Sequence, residues 1–90
     1  VRPMEDRIGC FAVSLAGHDR GRLYVIVGYQ EGAYLLADGR LKTLERPKRK
    51  KGRHLRMICG ERPVFPSGKP LRNEEVKRAI KLRSAKKPIK

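Results

Sequence analysis

The sequence predicts a mainly β protein: five short antiparallel strands forming a small barrel, followed by a short C-terminal helix and a basic tail. Three observations support this. Runs of β-branched and aromatic residues alternate with turns rich in Gly and Asp. Asp38-Gly39 is a two-residue hairpin signal. After Gly60 the texture changes, first to Pro63, Pro66, Gly68 and Pro70, then to a segment of helical periodicity.

The elements follow in order. Residues 1–7 are polar and read as loose, with Met4 opening a segment, M-E-D-R-I-G, that reads as a natural beginning. Ile8 to Ser14 (I-G-C-F-A-V-S) is a first strand and Ala16 to Gly21 a turn. Arg22 to Tyr29 is a second strand, and Ala33 to Asp38 a third. Arg40 to Leu44 (R-L-K-T-L) alternates and reads as a fourth. Glu45 to Arg53 is a basic loop, and His54 to Ile58 a fifth strand. Five short strands in so little chain suggest an SH3-like barrel, because closure removes exposed edges. The continuous apolar runs Val25-Ile26-Val27 and Leu35-Leu36-Ala37 imply two buried faces. One would fill the barrel; the C-terminal segment or a partner would cover the other.

In the helical segment Asn73 is a candidate N-cap, Glu74 and Glu75 fall in the first turn, and Lys81 and Arg83 in the last. Val76, Ala79, Ile80 and Arg83 share one face, and the helix is about three turns long. The organisation expected is therefore a barrel over 8–59, a Pro/Gly linker over 60–71, and helix plus tail over 72–90. The composition of the last third suits a segment that orders on a polyanion, with docking on the barrel as the alternative.

Charge narrows the function. The formal net charge is +14, of which residues 1–44 carry +1 and residues 45–90 carry +13. A chain this basic associates with polyanions, nucleic acid foremost. A membrane surface is the weaker reading, since no strongly amphipathic basic helix stands out, and no apolar run is long enough to span a bilayer. Cys10 and Cys59 read as two reduced core thiols of a cytoplasmic protein. With His18 and His54 they have no zinc-site spacing, so no metal and no cofactor is expected. Ser14, His18 and Asp19 lie too close in sequence to form a catalytic triad, and no phosphate-cradling glycine motif is present, so no enzyme is expected.

The turn S-L-A-G-H-D-R-G carries the chemistry. Its glycines permit left-handed backbone and close approach of a phosphate. Ser14 and Asp19 can hold the loop by bonding nearby amides. His18, Arg20 and Arg22 then project toward solvent, and Arg40 and Lys42 follow the Asp38-Gly39 turn. The densest block is R-P-K-R-K-K-G-R-H-L. Arg46, Lys48, Arg49, Lys50, Lys51 and Arg53 supply six cations in eight residues, and His54 and Arg56 extend the patch. Lys and Arg on phosphates give sequence-independent, salt-dependent affinity. Five aromatics and no Trp make base stacking a minor reading, with Tyr29 or Tyr34 as the exceptions.

These segments together resemble a known family. Gly9, Ser14, Gly17, Asp19 and Gly21 have the spacing of the KOW motif. G-x-F-A-V-S-x-A-G-x-D-x-G, then Y-V-I-V, A-D-G-R and P-K-R-K-K-x-R-H-L, resemble small bacterial KOW-domain RNA-binding proteins. Those are similar to KOW-type large-subunit ribosomal proteins of archaea and eukaryotes. The resemblance covers about Ile8 to Ile58; Arg53 stands where the pattern expects lysine. It implies an SH3-like barrel that binds structured, ribosomal RNA, as a ribosomal protein or ribosome-associated factor. The expected partner is thus RNA, with ribosomal proteins as further candidates, for a cytoplasmic chain that is monomeric when free. The alternatives are a protein-interaction KOW module of a transcription or translation complex, and a non-specific DNA-binding protein.

Overall fold

The computed structural model describes residues 7–60, 62–63 and 70–86. Residues 1–6 of the expected loose N-terminus, most of the proline linker and residues 87–90 of the expected tail lie outside the described residues, whereas 84–86, expected as the start of the disordered basic tail, are helical. The protein is mainly β, with strands β1 (Phe11–Ser14), β2 (Leu23–Gln30), β3 (Ala33–Ala37), β4 (Lys48–Lys50) and β5 (Leu55–Ile58), and a helix α1 (Asn73–Lys86). The five strands form one sheet in the order β4-β3-β2-β1-β5, and every pair is antiparallel. The described ladder is open, with β4 and β5 at its edges; a 3-10 turn, Gly52–His54, joins the two.

Two expected elements are corrected. Arg40 to Leu44 is not a strand; the partner of β3 is Lys48–Lys50, inside the stretch expected to be a loop. Leu36 pairs with Lys48, Leu35 with Arg49 and Tyr34 with Lys50. The Asp38-Gly39 turn does form, but it opens a longer connection. Asp38 Oδ1 accepts the amides of Arg40 and Lys42 at 2.9 Å each, and the Asp38 amide donates to the Lys42 carbonyl. The side chain bonds the backbone two and four residues on, which closes the loop on itself and takes Leu41 away from the sheet. Leu41 is 63% exposed.

Both sheet faces are buried, which accounts for the unbroken apolar runs. On one face Cys10, Ala12, Tyr24, Ile26, Leu36 and Leu55 form a cluster, with Tyr34, Met57 and Cys59 against it. On the other, Phe11, Val13, Leu23, Val25 and Ala37 pack with Val76 of α1, flanked by Ala79 and Ile80. The helix is thus the cover of the second face, and residues 73–86 share a core with the sheet. A β-bulge between Ile26 and Gly28 shifts the β2–β3 register.

The cysteines correct a second expectation: Cys10 and Cys59 are joined as a disulfide, with their Cα atoms 4.9 Å apart. The cause is the β1–β5 ladder. Phe11 pairs with Ile58, so the residues one step outward, Cys10 and Cys59, face each other.

Candidate nucleic-acid interface

The turn between β1 and β2 is held from inside. Ser14 and Gly21 close its base, the Gly21 amide donating to the Ser14 carbonyl at 2.8 Å. Gly17 and Gly21 have φ of +86 and +87, which a side-chain-bearing residue resists. Gly9 lies outside the turn and donates its amide to the Ile26 carbonyl.

Asp19 is the hub. Its Oδ1 accepts from the Ser14 hydroxyl at 2.9 Å and from the Lys50 ammonium at 3.0 Å; its Oδ2 accepts from the Tyr24 hydroxyl at 2.9 Å. Lys50 also donates to the Ala16 carbonyl at 3.0 Å. Burial raises the Asp19 pKa, but hydrogen bonds from Lys50, Tyr24 and Ser14 and the Lys50 charge outweigh it and hold the carboxyl at about 2. Burial, then the Asp19 hydrogen bond and charge, push the Tyr24 phenol upward. Lys50 is therefore a structural lysine. Its side chain is 11% exposed, and it pins the edge strand β4 to the turn instead of facing a ligand.

The other expected residues face outward. His18, Arg20, Arg22, Arg40, Arg46, Arg49, Lys51, Arg53 and Arg56 are exposed; Lys42, Lys48 and His54 are half-buried. Arg49 makes a surface pair with Glu31 at 3.3 Å, weak by its exposure. Arg22 lies 3.7 Å from Asp38. Tyr29 and Tyr34 meet edge to face, centroids 4.9 Å apart, so each ring already has an aromatic partner.

Two surface depressions gather part of this set. A pocket of about 220 Å³ is lined by His18, Asp19, Arg22, Tyr24, Leu41, Lys42 and Lys48. It brings together cations from the turn, the connection after β3, and β4. A groove of about 590 Å³ lies beside it, between the sheet and α1, with Arg22 and Arg40 on the sheet side and Lys77 and Lys81 on the helix side. Arg22 belongs to both. Arg20, Arg46, Arg49, Lys51, Arg53, His54 and Arg56 line neither.

Lys77 and Lys81 are missing from the RNA-binding residues picked out in the sequence, where Lys81 reads only as a last-turn charge of the helix. Their signal was present: they are four apart, on the flank of the Val76–Ile80 face. It gained meaning only once α1 had a seat. That seat is built by Asn73 and Gly39. Asn73, expected as an N-cap, instead accepts the Leu44 amide at 2.8 Å and donates to Glu45 at 2.9 Å, which lowers the Glu45 pKa. Glu75 takes the cap role, accepting the Arg72 amide at 3.0 Å. A Cβ on Gly39 would collide with the Asn73 carbonyl and lie 2.9 Å from the Lys77 nitrogen. Among the described residues no helix is long and apolar enough to cross a membrane.

No protein-family model matches the chain, and no curated protein sequence is significantly similar to it.

Proposed function

We propose that this protein is a KOW-type RNA-binding protein that docks on structured ribosomal RNA through phosphate contacts, as a ribosomal protein or ribosome-associated factor. The observation that carries the reading is the pocket where His18, Arg22, Lys42 and Lys48 converge from three separate segments around a turn with KOW spacing. Arg offers a planar fork of donors and Lys a point charge, both suited to phosphate oxygens. The turn that carries His18 and Arg22 is fixed by Asp19, so these two side chains are presented from a rigid base. The A-form major groove is closed to side chains, so selectivity comes from RNA shape.

The SH3-like barrel belongs to the same proposal. Leu36 of β3 and Leu55 of β5 bury in one cluster, and a Cβ at Gly52 would touch Tyr34 and Met57. The Lys50–Ala16 bond draws edge strand β4 back toward the end of β1. These contacts support a sheet curled onto itself.

The test is a binding panel: folded ribosomal RNA, single-stranded RNA and duplex DNA, each titrated at several salt concentrations. Preference for folded RNA, with log affinity falling linearly in log salt, is the expected result. Equal affinity for duplex DNA favours the non-specific DNA-binding alternative, and a salt-insensitive protein partner favours the interaction-module alternative. Crosslinking in cells followed by sequencing of the bound RNA identifies the target.

A further inference from the structure

We propose that the groove between α1 and the sheet is a second phosphate-binding subsite, continuous through Arg22 with the first, so that the helix grips the backbone of the same RNA. The inference rests on the RNA-binding reading and adds Lys77 and Lys81 to it.

Four cations surround the groove: Arg22, Arg40, Lys77 and Lys81. The one carboxylate in its wall, Asp38, is internally committed. Its Oδ1 accepts two backbone amides and its Oδ2 faces Arg22, with the side chain only 10% exposed. Arg22 offsets Asp38, and Arg40, Lys77 and Lys81 leave the groove net positive. Half-buried Ile80 supplies an apolar contribution to the lining, with buried Leu23 behind it. That combination suits a sugar–phosphate backbone, with phosphate oxygens on the cations and ribose against the aliphatic side chains.

The position of the helix lysines is set by packing. Val76 is fully buried under the sheet, and the Gly39 turn abuts the helix backbone at Asn73 and Lys77. Lys77 is thereby seated at the turn that carries Arg40, and Lys81 follows one turn along. Because Arg22 lines both depressions, an RNA strand crossing the first meets the second without leaving positive surface.

The experiment compares two double variants of equal charge change, on in-vitro transcribed large-subunit ribosomal RNA. Lys77→Ala/Lys81→Ala removes the two helix cations of the groove; Arg72→Ala/Arg78→Ala removes two exposed cations, one just before α1 and one on it, that do not line the groove. The slope of log affinity against log salt should become shallower by about 1.4–1.8 in the first, for two lost contacts, and by distinctly less in the second. Lys77→Arg/Lys81→Arg should keep the wild-type slope, a readout that helix undocking would not mimic. Equal slopes in the two alanine variants, or no change in the groove variant while substitutions at Lys48 and Arg49 do weaken binding, overturn the subsite and leave the RNA reading standing. Absence of salt-dependent RNA binding by the wild-type chain overturns both, and equal binding to duplex DNA overturns the RNA assignment.

Discussion

Two corners of the molecule are locked by opposite chemistry. At the β1–β2 turn the lock is polar: one carboxylate, Asp19, gathers a lysine, a phenol and a hydroxyl. At the seat of α1 the lock is mainly steric and apolar: Gly39 leaves room for the helix backbone and Val76 fills the second core, with the Asn73 bonds to Leu44 and Glu45 as a polar supplement. The difference decides which cations face solvent. The turn draws Lys50 inward, to 11% exposure, whereas the helix seat leaves Lys77 and Lys81 exposed. Positive charge in this protein is therefore divided between a structural lysine and a surface set, and sequence proximity does not sort them: Lys50 sits between Arg49 and Lys51.

The sharpest way to break the polar corner is Asp19→Ala. It removes the counter-ion of the Lys50 ammonium, leaving only the Ala16 carbonyl beside it at a site with little water, a loss of about 3–5 kcal/mol when a buried pair is broken. Urea unfolding should show the midpoint falling with little change in the slope. Gly39→Val is the matching attack on the steric corner. Left-handed backbone strain and collision with the Asn73 carbonyl together should cost about 2–4 kcal/mol. Amide hydrogen exchange should show α1 opening well before the sheet, because the damage is at its seat.

A gentler test uses pH. The Asp19 carboxyl is held at about 2, below its unfolded value near 3.8. A depressed carboxylate stabilises the fold fully above the unfolded value, and that contribution fades as pH falls from about 4 to about 2. About 2 kcal/mol should be lost across that window. Asp19→Asn should abolish this part of the pH dependence; an unchanged acid limb would remove Asp19 as the hub. The smallest effect belongs to Asn73→Ala, which loses the bonds to Leu44 and Glu45. About 1 kcal/mol is expected, measured by thermal unfolding.

Local signals explain what the sequence made legible. The runs at Phe11, Leu23, Ala33 and Leu55, the glycine-bearing turn, and the Val76–Ala79–Ile80 face all depend on neighbours a few residues apart. The strand at Lys48–Lys50 did not show, because three consecutive basic residues have weak β propensity. Pairing with β3 and the Asp19–Lys50 bond, across 31 positions, override that preference. R-L-K-T-L alternates like a strand, yet Asp38 folds it into a loop. The disulfide depends on β1 and β5 being neighbours, which no local pattern encodes. The groove lysines became visible only with the Gly39 contact, which joins residues far apart in the chain.

The central claim is that the outward cations of β4 and its flank hold RNA while Lys50 holds the fold. One measurement tests it directly: the salt dependence of binding to folded ribosomal RNA for Lys48→Ala/Arg49→Ala/Lys51→Ala, set beside Lys50→Ala, each with its melting temperature. The triple variant should melt near wild type and bind with a slope shallower by about 2. Lys50→Ala should lose stability, and at temperatures where it remains folded should keep the wild-type slope to within about one contact. A triple variant with unchanged affinity and slope, or a Lys50→Ala protein as stable as wild type with the larger loss of salt dependence, would contradict the account.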